Sequence, residues 1–512
     1  MGNKTNRRSF LKGAGAALGG LAFTTTTVSA KSAEERYIVD LRDANESDLE
    51  GLTVVHDLSQ IDIAVVEGDK KALSGMRHSK DVEMRFEVDK EYDEDEDEEY
   101  DAYDDDGDEE DEDDDEDASG TPSRYELQWD KHSQEIGEVF EETTGRGTRV
   151  AVLDSGAIPN HPDLSGPLNT DLSKNFTGDG GDFTPWYNDH GTHVAGIIAA
   201  DGSNTDGVVG TAPGTELVAL RVFTGPFSFF GDIIAAMTYA GDIEADVANM
   251  SLGAYPLPDN EENQTLRDSI ERATDHAASK GTLMVSAAGN DGTNLDEDGD
   301  VLSLPNEADN VMSVSGTGPI GFRWDDAASS EDDEHEHDDD EHDDEHEHDD
   351  EHEHDDDEVE EPLDELRKPT TTPASYTNYG REAIDISAPG GNSVQNPPSD
   401  ANWQYDMVLS TTVTWDDDDN MIADYGWKAG TSMAAPQVSA AAALVKSVNP
   451  DATPGQIRRH LEATAEDVEQ PTYSGEGHLD LEEAVEEDIE YEDDEDDEEE
   501  YEDDEEEYED DD

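Results

Sequence analysis

From Gly147 onward the chain repeats one pattern, and that pattern constrains the fold more than any other feature. Short apolar runs, TRVAVLD (Thr148–Asp154), TELVALRVF (Thr215–Phe223), ADVANMSLG (Ala245–Gly253), GTLMVSAAGN (Gly281–Asn290) and NVMSVSGTG (Asn310–Gly318), are separated by HGTHVAGIIAA, FGDIIAAMTYAGDI and TLRDSIERATDHAASKG, which have helical character. Near-continuous apolar strands alternating with helices require cover on both faces. This argues for an α/β fold of three layers, with a mainly parallel sheet between helices. In such sheets ligands gather at the carboxyl ends of the strands, which is where chemistry is to be sought.

Four polar residues stand at or near those ends. Asp154 closes the first run, ahead of the turn residues Ser155 and Gly156; an isolated Asp-Ser-Gly would be only a turn. His190 opens the helix in NDHGTHVAGIIAA, whose apolar face is Val194, Ile197 and Ile198. His193 lies almost a turn further in and reads as a packed, structurally bonded histidine. Ser432, in GTSMAAPQVSAAAALVKSV, precedes a long helix of small apolar residues. Backbone N–H groups and the positive end of the dipole there favour a developing oxyanion, although a serine at this position can also be a plain N-cap. Pro436 suits an early helical position and is expected to kink the helix slightly. Asn290, in the turn GNDG, can donate to an oxyanion, and asparagine is also an ordinary turn residue. Each signal is weak alone; in the order Asp, His, Asn, Ser they are strong together.

That order, with the blocks VAVLDSGAIPNHPDL, NDHGTHVAGIIAA, GVVGTAPGTELVALRVF, NMSLG, SAAGN and GTSMAAPQVSAAAALV, resembles the subtilisin-like serine peptidases, or subtilases, across residues 125–480. The resemblance implies a secreted endopeptidase that hydrolyses peptide bonds of proteins through an acyl-enzyme. In it Ser432 is the nucleophile, His190 the base and then the acid, Asp154 the residue that orients His190, and Asn290 an oxyanion donor beside the Ser432 N–H. It further implies that Ser251, Leu252 and Gly253 pair with an extended substrate backbone, with the opposite edge near Gly225–Phe227, and that specificity is broad. A structural calcium ion, which takes about 6–8 oxygen ligands, would fall on Asp163 of HPDL and on Asn204 and Asp206 of DGSNTDGVV; the chemistry needs no cofactor. Gln437, Ser439 and Ala440 depart from the family pattern, where a histidine and an Ala-Gly pair are usual.

Upstream, residues 31–90 carry strand-like runs at Arg36–Leu41, Ile61–Gly68 and Val82–Asp89, with helix-compatible stretches between them. By position and pattern this small α+β unit resembles the family's inhibitory propeptide, an intramolecular partner, with maturation expected somewhere in 91–125. Residues 1–30 join the basic NRRSFLK to a short apolar stretch and VSA. That is an export signal of twin-arginine type rather than a membrane span, so an extracellular address without a membrane anchor is expected.

The net charge of −107 excludes nucleic acid and anionic lipid as partners, and a monomer is expected. Three runs, 91–117, 331–361 and 486–512, hold 68 of the 137 acidic residues and no lysine or arginine. The remaining 69 still far exceed the 30 basic residues. An acidic surface throughout suits high salt, where repulsion is screened, and this composition with an export signal resembles the secreted halolysin-type enzymes of haloarchaea. The runs cannot bury a core. Residues 91–120 read as a linker, about 325–370 as an insertion into the catalytic domain (121–480), and 481–512 as a tail. The insertion carries seven histidines among carboxylates; a solvated acidic loop is the simpler reading and weak zinc or copper binding the alternative. The absence of cysteine excludes disulfides, thiolate metal sites and a cysteine nucleophile.

Overall fold

The computed structural model describes residues 35–42, 49–85, 90–91, 122–324, 363, 366–394, 397–398, 401–416 and 420–489. The export signal, nearly all of the first acidic run, the histidine run and the tail beyond Ile489 lie outside these residues.

The N-terminal unit is an antiparallel sheet of β1 (Glu35–Asp40), β2 (Thr53–Leu58), β3 (Ile63–Gly68) and β4 (His78–Lys80), in the order β2-β3-β1-β4. Two short strands, β5 (Glu83–Arg85) and β6 (Lys90–Glu91), follow it. A helix-compatible stretch was expected before Ile61, but Thr53–Leu58 is a strand: its β-branched Thr-Val-Val start fits the open edge beside β3. The helical turns of this unit are 3-10, at Ser59–Ile61 and Lys70–Leu73.

The larger unit begins with α1 (Trp129–His132) and α2 (Ile136–Glu142). It continues through β7 (Arg149–Asp154), β8 (Lys174–Asn175), α3 (His190–Ala199), β9 (Glu216–Arg221), β10 (Phe223–Thr224), β11 (Phe227–Phe229), α4 (Phe230–Asp242) and β12 (Val247–Met250). Then come β13 (Ala254–Pro258), α5 (Glu261–Ser279), β14 (Leu283–Ala287), β15 (Val301–Leu304), β16 (Val311–Thr317) and β17 (Ile386–Pro389). The chain ends on the hairpin β18 (Val408–Trp415) and β19 (Met421–Ala429), then α6 (Thr431–Val448), α7 (Pro454–Ala463), α8 (Pro471–Ser474) and α9 (Leu481–Glu486).

Seven strands form one parallel sheet in the order β17-β16-β14-β12-β7-β9-β8. Successive side chains of a strand point to opposite faces, and β7 shows the result. Val150 and Val152 join the core with α3 and α6, including Val194, Ile197 and Val438. Ala151 and Leu153 join the other core with α4 and α5, including Ile233 and Ile270. Both faces are covered, as the apolar runs require.

The small unit packs on the α4–α5 face. Ile38, Ile63 and Val65 share a buried cluster with Phe230 and Ile233. An ionic group lies in the same interface. Arg36 meets Asp232 at 2.6 Å and Asp81 at 3.0 Å, His56 Nε2 meets Asp232 at 2.7 Å, and the Gly231 N–H donates to Asp81 at 2.8 Å. Burial pushes the Asp81 carboxyl up to about 6, against the pull of Arg36. Beyond that sheet, β5 pairs with β11 and β6 pairs with β19, both antiparallel.

The stem of the histidine-rich insertion is closed by backbone bonds in both directions between Ile320 and Lys368, within the β16–β17 connection. At the C-terminus the folded chain runs past the boundary expected at 480. Leu481, Ala484, Val485 and Ile489 are buried in the α3–α6 core, because the apolar residues in LEEAVEEDIE are spaced to give a helix one inward face.

Candidate active site

Asp154 ends β7 at its carboxyl end and is fully buried. The chain then turns at Gly156, whose φ is +100° and where a Cβ would lie 2.1 Å from the Phe183 carbonyl; only glycine fits. His190 is the first residue of α3. Its Nδ1 lies 2.8 and 3.0 Å from the two carboxylate oxygens of Asp154. The carboxylate also accepts from the Ser155 N–H at 2.6 Å, and the Ser155 hydroxyl accepts from the Gly191 N–H at 2.9 Å. The strand end and the helix start are thus bonded to each other directly.

Ser432 lies at the start of α6, 7 % exposed. It lines one cleft together with His190, Ser251, Leu252, Gly253 and Ala287–Gly289. The carbonyl of Ser432 would bond the N–H of residue 436 in an ordinary helix, but residue 436 is proline and has none. The hydroxyl of Ser251 donates to that carbonyl instead, at 2.7 Å. Ser251 is held in turn by Asn249 Nδ2 at 3.0 Å, and Ser439 donates to Asn249 Oδ1 at 2.9 Å. Ser439, noted as a departure from the usual small residue, therefore closes a chain of bonds from the middle of α6 back to its first turn. Asn249 opens the block NMSLG, but its bonding role carried no signal in the sequence.

Asn290 follows β14. Its Oδ1 accepts from the Thr431 N–H at 2.9 Å and from the Thr431 hydroxyl at 3.0 Å. The amide is held by its carbonyl end, against the residue just before Ser432, which fixes which end is the donor. His193 is fully buried, and its Nε2 lies 3.1 Å from the carbonyls of both Val408 and Gly426. Burial, with the nearby charges of Lys428 and His190, holds its pKa well below the usual histidine range. It is a neutral tie between α3 and the β18–β19 hairpin.

Gln437 has an equally specific place. Its Nε2 donates to Asp130 at 2.7 Å, and its Oε1 accepts from Lys131 Nζ at 2.9 Å and from the Thr211 hydroxyl at 2.7 Å. All four residues are buried. Burial pulls the Lys131 pKa down while Asp130 opposes it.

Ser251–Gly253 forms one wall of the cleft. Next to the segment Gly225–Phe227 expected as the opposite edge, β11 pairs with β5, with Arg85, Met84 and Glu83 opposite Phe227, Ser228 and Phe229. Met84 is buried and lines the cleft.

Asp163 is fully buried; its Oδ2 accepts from the Val208 N–H at 3.1 Å, and its Oδ1 has no hydrogen-bond partner among the described residues. A Cβ on Gly207 would lie 2.5 Å from both oxygens. A carboxylate cradled this tightly, with an acceptor to spare, suits a cation. Of the other two candidates, Asn204 donates through Nδ2 to the Tyr425 hydroxyl at 2.8 Å, and Asp206 is exposed, its backbone carbonyl bonded by Arg124 at 2.8 Å. No helix among the described residues is long and apolar enough to cross a membrane.

Comparison with known proteins agrees with this geometry. The Subtilase family model matches residues 145–483. Subtilisin Savinase of Lederbergia lenta is 31 % identical over 345 residues, covering 67 % of this chain and 92 % of that protein. The major intracellular serine protease of Bacillus subtilis is 31 % identical over 309 residues, covering 59 % and 69 %. Among solved structures, a protease from Pseudoalteromonas arctica is 27 % identical with a TM-score of 0.53, covering 71 % of this chain and 98 % of that one. The epidermin leader peptide processing serine protease of Staphylococcus aureus, at 20 % identity and a TM-score of 0.60, shares the fold over 89 % of this chain and 98 % of its own. The chain belongs to the subtilase family and is a serine endopeptidase.

Proposed function

We propose that this endopeptidase is made as an exported, self-inhibited precursor and works by a Ser432–His190–Asp154 triad. The observation that carries the reading is the buried Asp154–His190 pair, closed at 2.8 Å on the cleft that holds Ser432. Ser432 Oγ attacks the scissile carbonyl carbon while His190 Nε2 takes its proton. Asp154 keeps the other ring nitrogen protonated and stabilises the imidazolium. Asn290 Nδ2 and the Ser432 N–H receive the oxyanion. Collapse expels the amine, protonated by His190, and leaves an acyl-enzyme that water hydrolyses by the same route. A structural calcium ion plays no part in these steps; Asp163 is the residue that would hold it.

The small N-terminal unit acts as the propeptide. In support, the small unit packs on α4, its β5 pairs with β11, and its Met84 lines the cleft that holds Ser432. The first self-cut is expected within residues 91–125. The protein is exported through its twin-arginine signal and acts as a monomer at high salt, its acidic surface being the support for salt adaptation. A Ser432→Ala precursor, expressed in a protease-free host, tests self-processing: it should stay full-length while the wild type is cut within residues 91–125. Maturation of the variant at the wild-type rate would show that another protease does the cutting.

A further inference from the structure

We infer that Asn378 is a positioning residue for the oxyanion site: it clamps the backbone on both sides of Asn290 and so sets how well Asn290 meets the developing charge. This rests on the protease reading above, with Asn290 as an oxyanion donor. Asn378 lies in ASYTNYG, well after Asn290 in the chain, and is fully buried.

Both ends of its side chain are spent on the turn that follows β14. Nδ2 donates to the Ala288 carbonyl at 2.9 Å and to the Asp291 carboxylate at 3.3 Å. Oδ1 accepts from the N–H groups of Asp291 at 3.0 Å and Thr293 at 3.1 Å. The main-chain N–H of Asn378 donates to the Gly289 carbonyl at 2.9 Å. A carboxamide carries two hydrogens on its nitrogen and two lone pairs on its oxygen, so one asparagine grips the peptide units before and after Asn290. The approach is close: Gly289 has a φ of +99°, and a Cβ there would lie 2.5 Å from Asn378 Nδ2. The Asn290 side chain has a separate anchor in Thr431, whose hydroxyl also accepts from the Gly289 N–H at 3.1 Å. Thr431 therefore fixes which way the amide faces, and Asn378 fixes where its backbone stands. An oxyanion donor works because it is in place before charge develops, so a loosened turn costs rate more than substrate binding.

The test is a double-mutant cycle on the mature enzyme with one tetrapeptide anilide: wild type, Asn378→Ala, Asn290→Ala and the two together. Asn378→Ala should lower kcat about ten-fold or more, with KM changed by no more than about two-fold. In the Asn290→Ala background it should lower kcat by no more than about two-fold, because the donor it positions is already gone. If the alanine variant does not fold, Asn378→Asp takes its place in the cycle; it keeps the shape and the bonds from the Asp291 and Thr293 N–H groups but cannot donate to Ala288. A smaller loss of kcat, a loss of the same size in both backgrounds, or an effect carried by KM assigns Asn378 to the fold alone and overturns the proposal. Failure of both Asn378 variants to fold overturns it as well. Each of these outcomes leaves the protease reading standing. Asn290→Ala with an unchanged kcat removes the oxyanion reading and this proposal with it, and a wild type that cleaves neither the anilide nor casein removes the protease reading itself.

Discussion

The hydroxyl of Ser251 donates to the main-chain carbonyl of Ser432 at 2.7 Å, and the cause lies four residues on, where Pro436 offers no N–H. A wall of the cleft and the peptide unit of the proposed nucleophile are therefore one hydrogen-bonded assembly. Ser251→Ala should leave that buried carbonyl unmet, at a cost of about 1–3 kcal/mol. The expected outcome is a lower thermal midpoint and a lower kcat, with Pro436→Ala in the same background restoring part of both. Recovery in the double variant is the informative measurement, since a lost surface contact would not be rescued by a helical N–H.

Asn290→Ala removes a proposed oxyanion donor without touching the Asp154–His190 pair. By the figure for such a donor, itself measured in a subtilisin, kcat should fall about 10²–10³-fold. KM should change little. Thr431 also loses its partner, so a midpoint measurement belongs beside the kinetics to separate chemistry from stability.

Docking of the propeptide should be pH-dependent through Asp81. Its pKa is 3.8 in ordinary surroundings and about 6 when buried against α4. The docked form therefore keeps a proton that the undocked form has lost, so this contribution is full below pH 3.8 and is lost as pH rises through 6. Inhibition of the mature enzyme by added propeptide should weaken by about ten-fold or more between pH 4.5 and 7. Asp81→Asn should flatten that dependence, and an unchanged slope in the variant would assign it to other groups.

Gln437→Leu should destabilise the fold. It removes an acceptor from a fully buried Lys131 and a donor from Asp130, a loss of about 1.5–3 kcal/mol for a bond to a charged group. The check is chemical denaturation, with Gln437→Glu as a companion, which restores an acceptor.

The salt reading is checked on the uncut Ser432→Ala precursor. Its thermal midpoint should rise steeply up to about 1 M salt, where the Debye length reaches about 3 Å, and level off beyond. A midpoint flat in salt would leave the acidic surface without that role.

The alternation of apolar runs and helices made the seven-stranded sheet legible, because a strand buried on both faces must be apolar at every position, and Val150 to Leu153 are. The site was legible because Asp154, His190, Asn290 and Ser432 are fixed to element ends by turns and helix starts that local sequence encodes. Thr53–Leu58 was not, since an edge strand half open to solvent has no clean alternation: its burial runs from exposed Val54 to buried Leu58. The roles of Asn249, Ser439 and Gln437 were not legible either. They depend on partners 190 or 307 residues away in the chain, which no local pattern reports. The histidine run, the most conspicuous stretch of the sequence, lies outside the described residues.

The most direct measurement is labelling by a serine-directed phosphonate at high salt, followed by peptide mapping. Modification of Ser432 in the mature protein, with loss of casein hydrolysis in proportion and no labelling of Ser432→Ala or His190→Ala, is the expected result. An unlabelled Ser432 in protein that still hydrolyses casein would contradict the triad.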